Sequence, residues 1–428
     1  MKFLVVGAGL AGASCARVLH DAGHEVTVID SSAHVAGNCY DEPSPYVWHI
    51  QDMQPVYIQL YGPHIFHTNS QQIFDFLSRF TAWNTYNHRV VVDLDGSGDK
   101  MFPMTPNRES IINDLMVKFF GFPPEHAAEM HKELDALIVE LGRPDPSILE
   151  LQKSTSSFGN LLASILWTKV YAPYTLRQWG TSTVDASILE RVRIDLSDTK
   201  EDATYFKDRY QYQPLRGFTR MVQSMLDGIE VKLNTPFRLP MVGQYDHVFF
   251  TGAVDDLLIQ EGSLKSLEPL PYRTMQFNFL HKRAGEEVYP SHHFRHTHRA
   301  ATVNFPRSYY QSAVEAADGI VEKPPLRITS FRRLSSEPGR IDHTKSDVYC
   351  LEYPTQWEPN TGMTRHYPIP GRENRDRYDS LVYDAGIIFG NRITFFGRLG
   401  SYQYLNMDQA VAQGISTANS YLATTKGA

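Results

Sequence analysis

The chain has 428 residues, 42% hydrophobic and 21% charged, with a formal net charge of -7. That length predicts two or three domains with ample apolar material for their cores. The acidic balance and scattered basic residues exclude a nucleic-acid-binding surface. Three widely spaced cysteines, Cys15, Cys39 and Cys350, fit a reducing cytoplasm and neither a disulfide framework nor a zinc site. No uninterrupted apolar stretch of about 18 residues exists, and glycines break the first apolar run, so neither a membrane span nor a signal peptide is expected. The expected setting is soluble and cytoplasmic, with no membrane insertion.

The first element is an apolar run at Phe3–Val6, followed at once by Gly7-x-Gly9-x-x-Gly12. A helical stretch from Ala13 to Ala22 leads to a second apolar run, Val26–Ile29, that ends in Asp30. Strand, glycine turn, helix, strand and acid together predict dinucleotide binding. The first glycine makes the turn, the second admits a pyrophosphate, and the third lets helix and strand pack closely. Asp30 lies 18 residues after Gly12, where a carboxylate can bond a ribose hydroxyl. A tight turn without any cofactor is the plain alternative.

Residues 41–60 are rich in proline and read as a loop. Val90–Leu94 reads as a strand, then a turn at 95–99, then an extended run at 101–104. From Arg108 to about Thr168 apolar residues recur at helical spacing, broken once by Pro144-Asp145-Pro146. Residues 217–226 read as a helix, and 231–233 and 246–252 as strands. Residues 271–335 and 346–353 alternate apolar and polar side chains, as antiparallel strands do. A strand at Ile393–Arg398 and a helix at Met407–Tyr421 close the chain. The predicted dinucleotide domain is therefore discontinuous, taking residues 1–90, 206–265 and 391–428. A helical domain takes 108–200, and an antiparallel sheet domain takes 91–107 and 266–390. By analogy of fold, such discontinuity points to FAD proteins more than to simple NAD dehydrogenases.

Several strings now converge: Tyr61-Gly62-Pro63-His64-Ile65-Phe66-His67-Thr68, Tyr174-Thr175-Leu176-Arg177-Gln178-Trp179-Gly180, Tyr367-Pro368-Ile369-Pro370, and Gly397-Arg398-Leu399-Gly400-Ser401-Tyr402-Gln403-Tyr404. In this order they resemble the UDP-galactopyranose mutase family, over nearly the whole chain from Phe3 to about Thr417. The resemblance implies an α/β fold, with a discontinuous Rossmann-like FAD-type domain, a helical domain and an antiparallel β-sheet domain. It implies an isomerase that interconverts pyranose and furanose forms of a nucleotide-diphosphate hexose. In that chemistry reduced FAD attacks the anomeric carbon through N5, and the sugar ring opens and recloses without net oxidation.

By the same resemblance Arg327, Arg398 and His64 are expected in the catalytic site. Tyr367, Tyr402, Trp179, Arg273, Tyr174 and Arg193 are expected on the substrate. Gly7, Gly9, Gly12, Asp30, Gly37, Asn38, His67, Asn406 and Met407 are expected on the cofactor. An arginine fork suits a diphosphate because it offers two donors and stays charged. The bland alternatives are surface ion pairs for single arginines and core packing for Trp179 and the histidines. A homodimer accords with the family.

The chain departs from the family at several points. Ala36-Gly37-Asn38 replaces Gly-Gly-Asn, Asp30 replaces a glutamate, and Thr105 replaces an asparagine. Ser330-Phe331-Arg332 and Asn406-Met407-Asp408 differ from the family strings, Asp195 stands where a loop arginine is usual, and residues 305–327 carry an insertion. Many of these positions line the flavin, which keeps open a flavin-independent mutase that uses a divalent metal ion. The altered loop and the insertion extend the substrate choice to a GDP- or dTDP-deoxyhexose. An amine-oxidase-like flavin oxidoreductase on the same fold is a further alternative, although the arginines and tyrosines suit a diphosphate better. The histidine tract His292, His293, His296 and His298 is interleaved with arginines and lacks a carboxylate or cysteine, so no metal site is expected there.

Overall fold

The computed structural model describes residues 1–48, 55–94, 101–180, 189–190, 192–197, 204–261, 268–285, 300–306, 325–335 and 346–426. The tract His292–His298 and most of the 305–327 insertion lie outside those residues.

Five short strands form a parallel sheet in the order Glu230–Lys232, Glu25–Ile29, Lys2–Val6, His247–Phe250, Ile393–Phe395. We call Lys2–Val6 β1, the helix Leu10–Asp21 α1, and Glu25–Ile29 β2. Parallel strands covered on both faces are apolar almost throughout, which is why Phe3, Leu4 and Val5 are all fully buried. α1 and the C-terminal helix Met407–Lys426 pack together over this sheet. Their backbones come so close that a Cβ on Gly414 would sit 2.3 Å from the Ala11 carbonyl oxygen.

A seven-stranded sheet lies beside it, in the order Tyr367–Pro368, Tyr272–Lys282, Asp347–Gln356, Arg327–Ser330, Thr302–Asn304, Val90–Asp93, Met101–Pro103. Every pairing is antiparallel except Thr302–Asn304 against Val90–Asp93, which is parallel. Val90–Asp93 comes from far earlier in the chain, and only a long connection permits a parallel neighbour. Residues 110–179 form a helical layer on their own core, which includes Ile111, Leu134, Leu151 and Leu166. Its first segment, Ser110–Phe119, has the wider π-type winding. Ser147 restarts the chain after the 144–146 break with a full capping box to Glu150.

Two segments differ from the reading of the sequence. Residues 41–60 were expected as a loop, yet Asp41–Trp48 pairs with Pro55–Gln59 as an antiparallel hairpin, irregular between Pro43 and Trp48. A two-stranded ribbon is all edge, so its prolines remove no ladder bond that another strand needs. The Asp41 carboxylate fixes it by accepting the Phe218 and Thr219 N–H groups at the start of helix Gly217–Met225. Within the 266–390 domain, where no element was expected between 353 and 390, Arg372–Phe389 is an 18-residue helix. It buries Tyr378, Leu381 and Ala385 in the cluster that also holds Val254, Leu258 and Tyr272.

Among the described residues His88, His247 and His366 are buried in this framework, and burial pulls each imidazole down, His88 to about 3 and His247 and His366 to about 4. An unfolded histidine titrates near about 6.5, so between about pH 6.5 and 4 the unfolded chain binds more protons than the folded one. Stability therefore falls as the pH is lowered through that window, by about 1.4 kcal/mol per pH unit for each histidine. Calorimetry should show a melting temperature that drops from pH 7 to pH 5, with a shallower drop in His247→Gln. A melting temperature constant over that range would contradict this account.

Candidate functional site

Several of the expected site residues gather at the carboxyl edge of the parallel sheet, where α/β folds place their ligands. Gly7 follows β1, Asp30 follows β2, and Arg398 follows the strand Ile393–Phe395. Gly7 has φ +105° and Gly37 φ +53°, conformations that favour glycine. A Cβ on Gly12 would lie 1.9 Å from the Gly7 carbonyl oxygen, and one on Gly37 would lie 3.2 Å from Gly9 Cα. The turn is thus closed to side chains from several directions.

α1 begins at Gly9 with no side-chain cap and no acidic residue in its first turn. A helix N-terminus left uncapped is suited to an anion, here the pyrophosphate of a dinucleotide. Asp30 spends one carboxylate oxygen on the Ala8 N–H and the other on the Ser32 N–H, each at 2.8 Å. Each oxygen keeps a further lone pair for a ribose hydroxyl. Ala36 holds φ +74°, a left-handed conformation unusual for a residue with a Cβ, and its methyl group is buried in the core with Ala8. Asn38 lies in the adjoining turn Gly37–Cys39. These residues fit a dinucleotide such as FAD.

Arg398 stands at the first turn after the last parallel strand. Its Nη1 donates to the His366 carbonyl at 3.1 Å and its Nη2 to the Leu405 carbonyl at 2.6 Å. Its guanidinium carbon is 5.4 Å from the ring centroids of both Tyr367 and Tyr404. Trp179 meets the same two tyrosines edge-on, at 6.2 and 6.3 Å. Among the described residues no carboxylate pairs with Arg398, so its charge and three remaining N–H donors are available to a ligand.

Arg327 is balanced differently. Its Nη2 pairs with the buried carboxylate of Glu352, and its Nη1 donates to the Tyr174 hydroxyl at 3.3 Å. Burial opposes its charge, yet Glu352, Tyr174 and Tyr367 outweigh that and hold it protonated. Burial also pushes the Tyr174 and Tyr367 phenols up to about 12, so both are neutral donors at any working pH. His64 Nδ1 lies 2.6 Å from the Gly62 carbonyl, which makes Nδ1 the protonated nitrogen and leaves Nε2 as an acceptor. Burial first, and then Arg398 and Arg327, pull His64 down to about 4.

Phe66–Thr68 is a strand, so His64 and His67 do not share a helix face. His67 stacks on Phe206 at 3.7 Å, and its Nδ1 meets the Asp208 carboxylate at 2.7 Å. Thr68 donates to Asp408 at 3.0 Å and ties this strand to the C-terminal helix. Asn406 opens that helix by accepting the Ala410 N–H, and Met407 packs against the core around α1.

Three expected contacts are not where the sequence put them. Tyr402 is only 5% exposed, and its hydroxyl donates to the Pro271 and Ile369 carbonyls at 2.7 and 3.2 Å. Its φ of +47° swings it inward and sends Tyr404, 53% exposed, to the arginine. Arg273 is buried, and its guanidinium donates to the Gln178 and Arg177 carbonyls at 3.1 and 3.3 Å. It caps the helix Ala172–Trp179 and so holds Trp179 in place from behind. Arg193 donates to the Asp145 carbonyl and pairs with Glu150 in the helical layer.

The sequence reading passed over Tyr404, Asn304 and His366. Tyr404 was legible as the second tyrosine of the same string. Asn304 sits opposite Arg327 in the sheet register, with a buried side-chain oxygen that has no partner. His366 Nδ1 lies 3.0 Å from Thr274 Oγ1, 3.1 Å from the Thr364 carbonyl and 3.3 Å from the Met275 nitrogen, and its buried Nε2 has no partner. Nothing local in the sequence marks either one. Among the described residues no group of three or more His, Cys, Asp or Glu is placed to hold a metal ion, and no helix is long and apolar enough to cross a membrane.

A glycine-turn parallel sheet with a free arginine on the same edge defines a Rossmann-type enzyme for a phosphorylated substrate. Comparison with known proteins narrows this. Residues 5–80 match the NAD(P)-binding Rossmann-like domain, and residues 169–404 match the UDP-galactopyranose mutase family. The chain belongs to the UDP-galactopyranose mutase family, nucleotide-sugar pyranose–furanose mutases. A probable UDP-galactopyranose mutase of Klebsiella pneumoniae is 28% identical, with 99% of this chain and 95% of that one covered. The UDP-galactopyranose mutase of Mycoplasma pneumoniae is 27% identical, covering 98% and 96%. A dTDP-fucopyranose mutase of Escherichia coli is 24% identical, covering 99% of each chain. A crystal structure of reduced UDP-galactopyranose mutase superposes with a TM-score of 0.61 at 15% identity, over 99% of this chain and 96% of that one.

The two tyrosines of the last string should separate cleanly. Tyr402→Phe loses a buried hydrogen bond and should cost about 1–3 kcal/mol of stability with little change in nucleoside-diphosphate affinity. Tyr404→Leu removes a ring from Arg398 and should weaken that affinity with little change in melting temperature. Calorimetric titration with uridine diphosphate, paired with thermal melts, checks both.

Proposed function

We propose that this protein interconverts the pyranose and furanose forms of a nucleoside-diphosphate hexose, with reduced FAD as its resident cofactor. The substrate is UDP-galactose-like, or a GDP- or dTDP-deoxyhexose, since relatives named for UDP-galactopyranose and for dTDP-fucopyranose both align end to end. The observation that carries the reading is Arg398, a guanidinium without a carboxylate partner, held between Tyr367 and Tyr404 at the carboxyl edge of the dinucleotide sheet. Three buried free thiols accord with a cytoplasmic setting.

Gly7, Gly9, Gly12, Gly37 and the start of α1 hold the cofactor's pyrophosphate, and Asp30 holds its ribose. When bound, the reduced flavin supplies nucleophilic electron density to the anomeric carbon with no net redox change. Arg398 and Arg327 hold the diphosphate and stabilise the charge it gains as its bond to the sugar breaks. Tyr174, Tyr367 and Tyr404 add neutral donors, which orient the departing diphosphate without trapping it as a further cation would. That balance matters, because the same diphosphate must later be returned to the sugar. His64 presents an unprotonated Nε2 as an acceptor to the site, and Trp179 covers the diphosphate against water.

The test is an anaerobic incubation of the dithionite-reduced protein with UDP-galactopyranose and with dTDP-fucopyranose, followed by chromatography for the furanose isomer. Conversion of either supports the reading. Absence of conversion with both and with a GDP-deoxyhexose, or turnover by flavin-free protein that EDTA abolishes, overturns it. Arg398→Ala should lower kcat/KM by roughly 10²–10³-fold with the fold intact. Gly12→Ala should lose the flavin absorbance of the purified protein, because its Cβ would collide with Gly7.

A further inference from the structure

The segment 363–369 carries Tyr367 and the His366 carbonyl that receives Arg398, yet its own hold on the sheet is slight. It pairs with the long strand Tyr272–Lys282 at only two positions, Tyr272 with Pro368 and Arg273 with Tyr367. Two further backbone bonds flank that pairing, His366 N–H to the Arg273 carbonyl and Ile369 N–H to the Pro271 carbonyl. Beyond it the segment meets the sheet through His366 Nδ1, 3.0 Å from Thr274 Oγ1, so the placement of the Tyr367 side chain depends on what holds its neighbours in the chain.

Arg365, two residues before this pairing, is anchored by several side chains. Its guanidinium forks onto both carboxylate oxygens of Asp256 and lies 3.6 Å from Asp255 Oδ2. It stacks over the Trp357 indole at 4.0 Å and the Tyr272 ring at 5.0 Å. Trp357 in turn donates its indole N–H to the Met363 carbonyl at 2.9 Å, at the other end of the same loop. Asp255 and Asp256 open the helix Val254–Glu261, which directly follows the parallel strand His247–Phe250. The cluster therefore ties the substrate-side segment to the cofactor-side sheet.

The cluster is costly. Arg365 Nε, Asp255 Oδ1 and the Tyr272 hydroxyl are all buried and have no hydrogen-bond partner. Burying a guanidinium and a carboxylate with donors and acceptors unmet lowers stability relative to an apolar filling of the same volume. What it adds is a fixed geometry. We propose that Arg365 is a positioning residue for the diphosphate site, acting through the backbone of His366 and Tyr367 on Tyr367 and Arg398. Its place in the active site rests on the mutase reading above.

The experiment compares the wild-type protein with Arg365→Met/Asp255→Asn, in which the buried charges are replaced together. Uridine diphosphate and thymidine diphosphate are titrated by calorimetry, and thermal melts are recorded on the same samples. The expected result is a Kd for the bound nucleotide raised about tenfold at an unchanged or higher melting temperature. In a Tyr367→Phe background the same change should weaken binding less, because the residue being positioned has already lost its donor. An unchanged Kd overturns the inference, whatever the melting temperature does. If the double variant unfolds, Asp256→Asn decides, since it breaks the fork from a half-exposed position: weaker binding by folded protein supports the inference and equal binding overturns it. A wild-type protein that binds neither diphosphate overturns the substrate reading itself, and this inference with it.

Discussion

Arg398 carries a positive charge that no carboxylate among the described residues neutralises, and much of the surrounding structure serves to hold that charge still. A lone guanidinium on a flexible stem loses side-chain entropy when a ligand orders it. Here the ordering precedes the ligand. Two carbonyls take its Nη atoms, two tyrosine rings flank it, and Trp179 closes against both rings. Each of those partners is itself fixed by something distant. Arg273 caps the helix that ends in Trp179, and Tyr402 pins the turn that delivers Tyr404.

The contrast with Arg327 is instructive. There a buried glutamate sits beside the guanidinium, and the pair is nearly charge-neutral as a unit. Removing Glu352 would leave a buried cation to be met by whatever enters, and a diphosphate would then be gripped more tightly. An enzyme that must release and recapture a leaving group gains nothing from uniformly tighter binding. One free arginine and one compensated arginine set a moderate field, and the neutral phenols beside them sharpen it without adding charge.

The dinucleotide half of the fold was legible because its constraints are local and steric. Gly12 must be glycine wherever Gly7 turns this tightly, and that requirement is written in the spacing of a few residues. The substrate side was harder. Tyr402 and Tyr404 lie in one short string, and only a backbone torsion of +47° decides which of them points inward. Arg273 and Arg398 look alike in sequence, and what separates them is whether helix-end carbonyls or aromatic faces are waiting. Asn304 joins the site only through its register with Arg327, a long-range fact of sheet pairing. The hairpin at 41–59 stayed hidden because prolines argue against a strand in general, but not against one that has a single partner.

The order of strands in the parallel sheet has a consequence for how the protein comes to exist. β1 and β2 are made long before the edge strand Ile393–Phe395 and the helix that covers α1. Until those residues emerge, α1 exposes the face that Met407–Lys426 will later bury, and Ala11 in its first turn lacks its neighbour Gly397. The dinucleotide site is therefore completed only once residues 393–426 have joined it, and contacts of such long sequence separation form slowly. A truncated product lacking the last helix would possess the glycine motif in full and still lack the surface on which it closes.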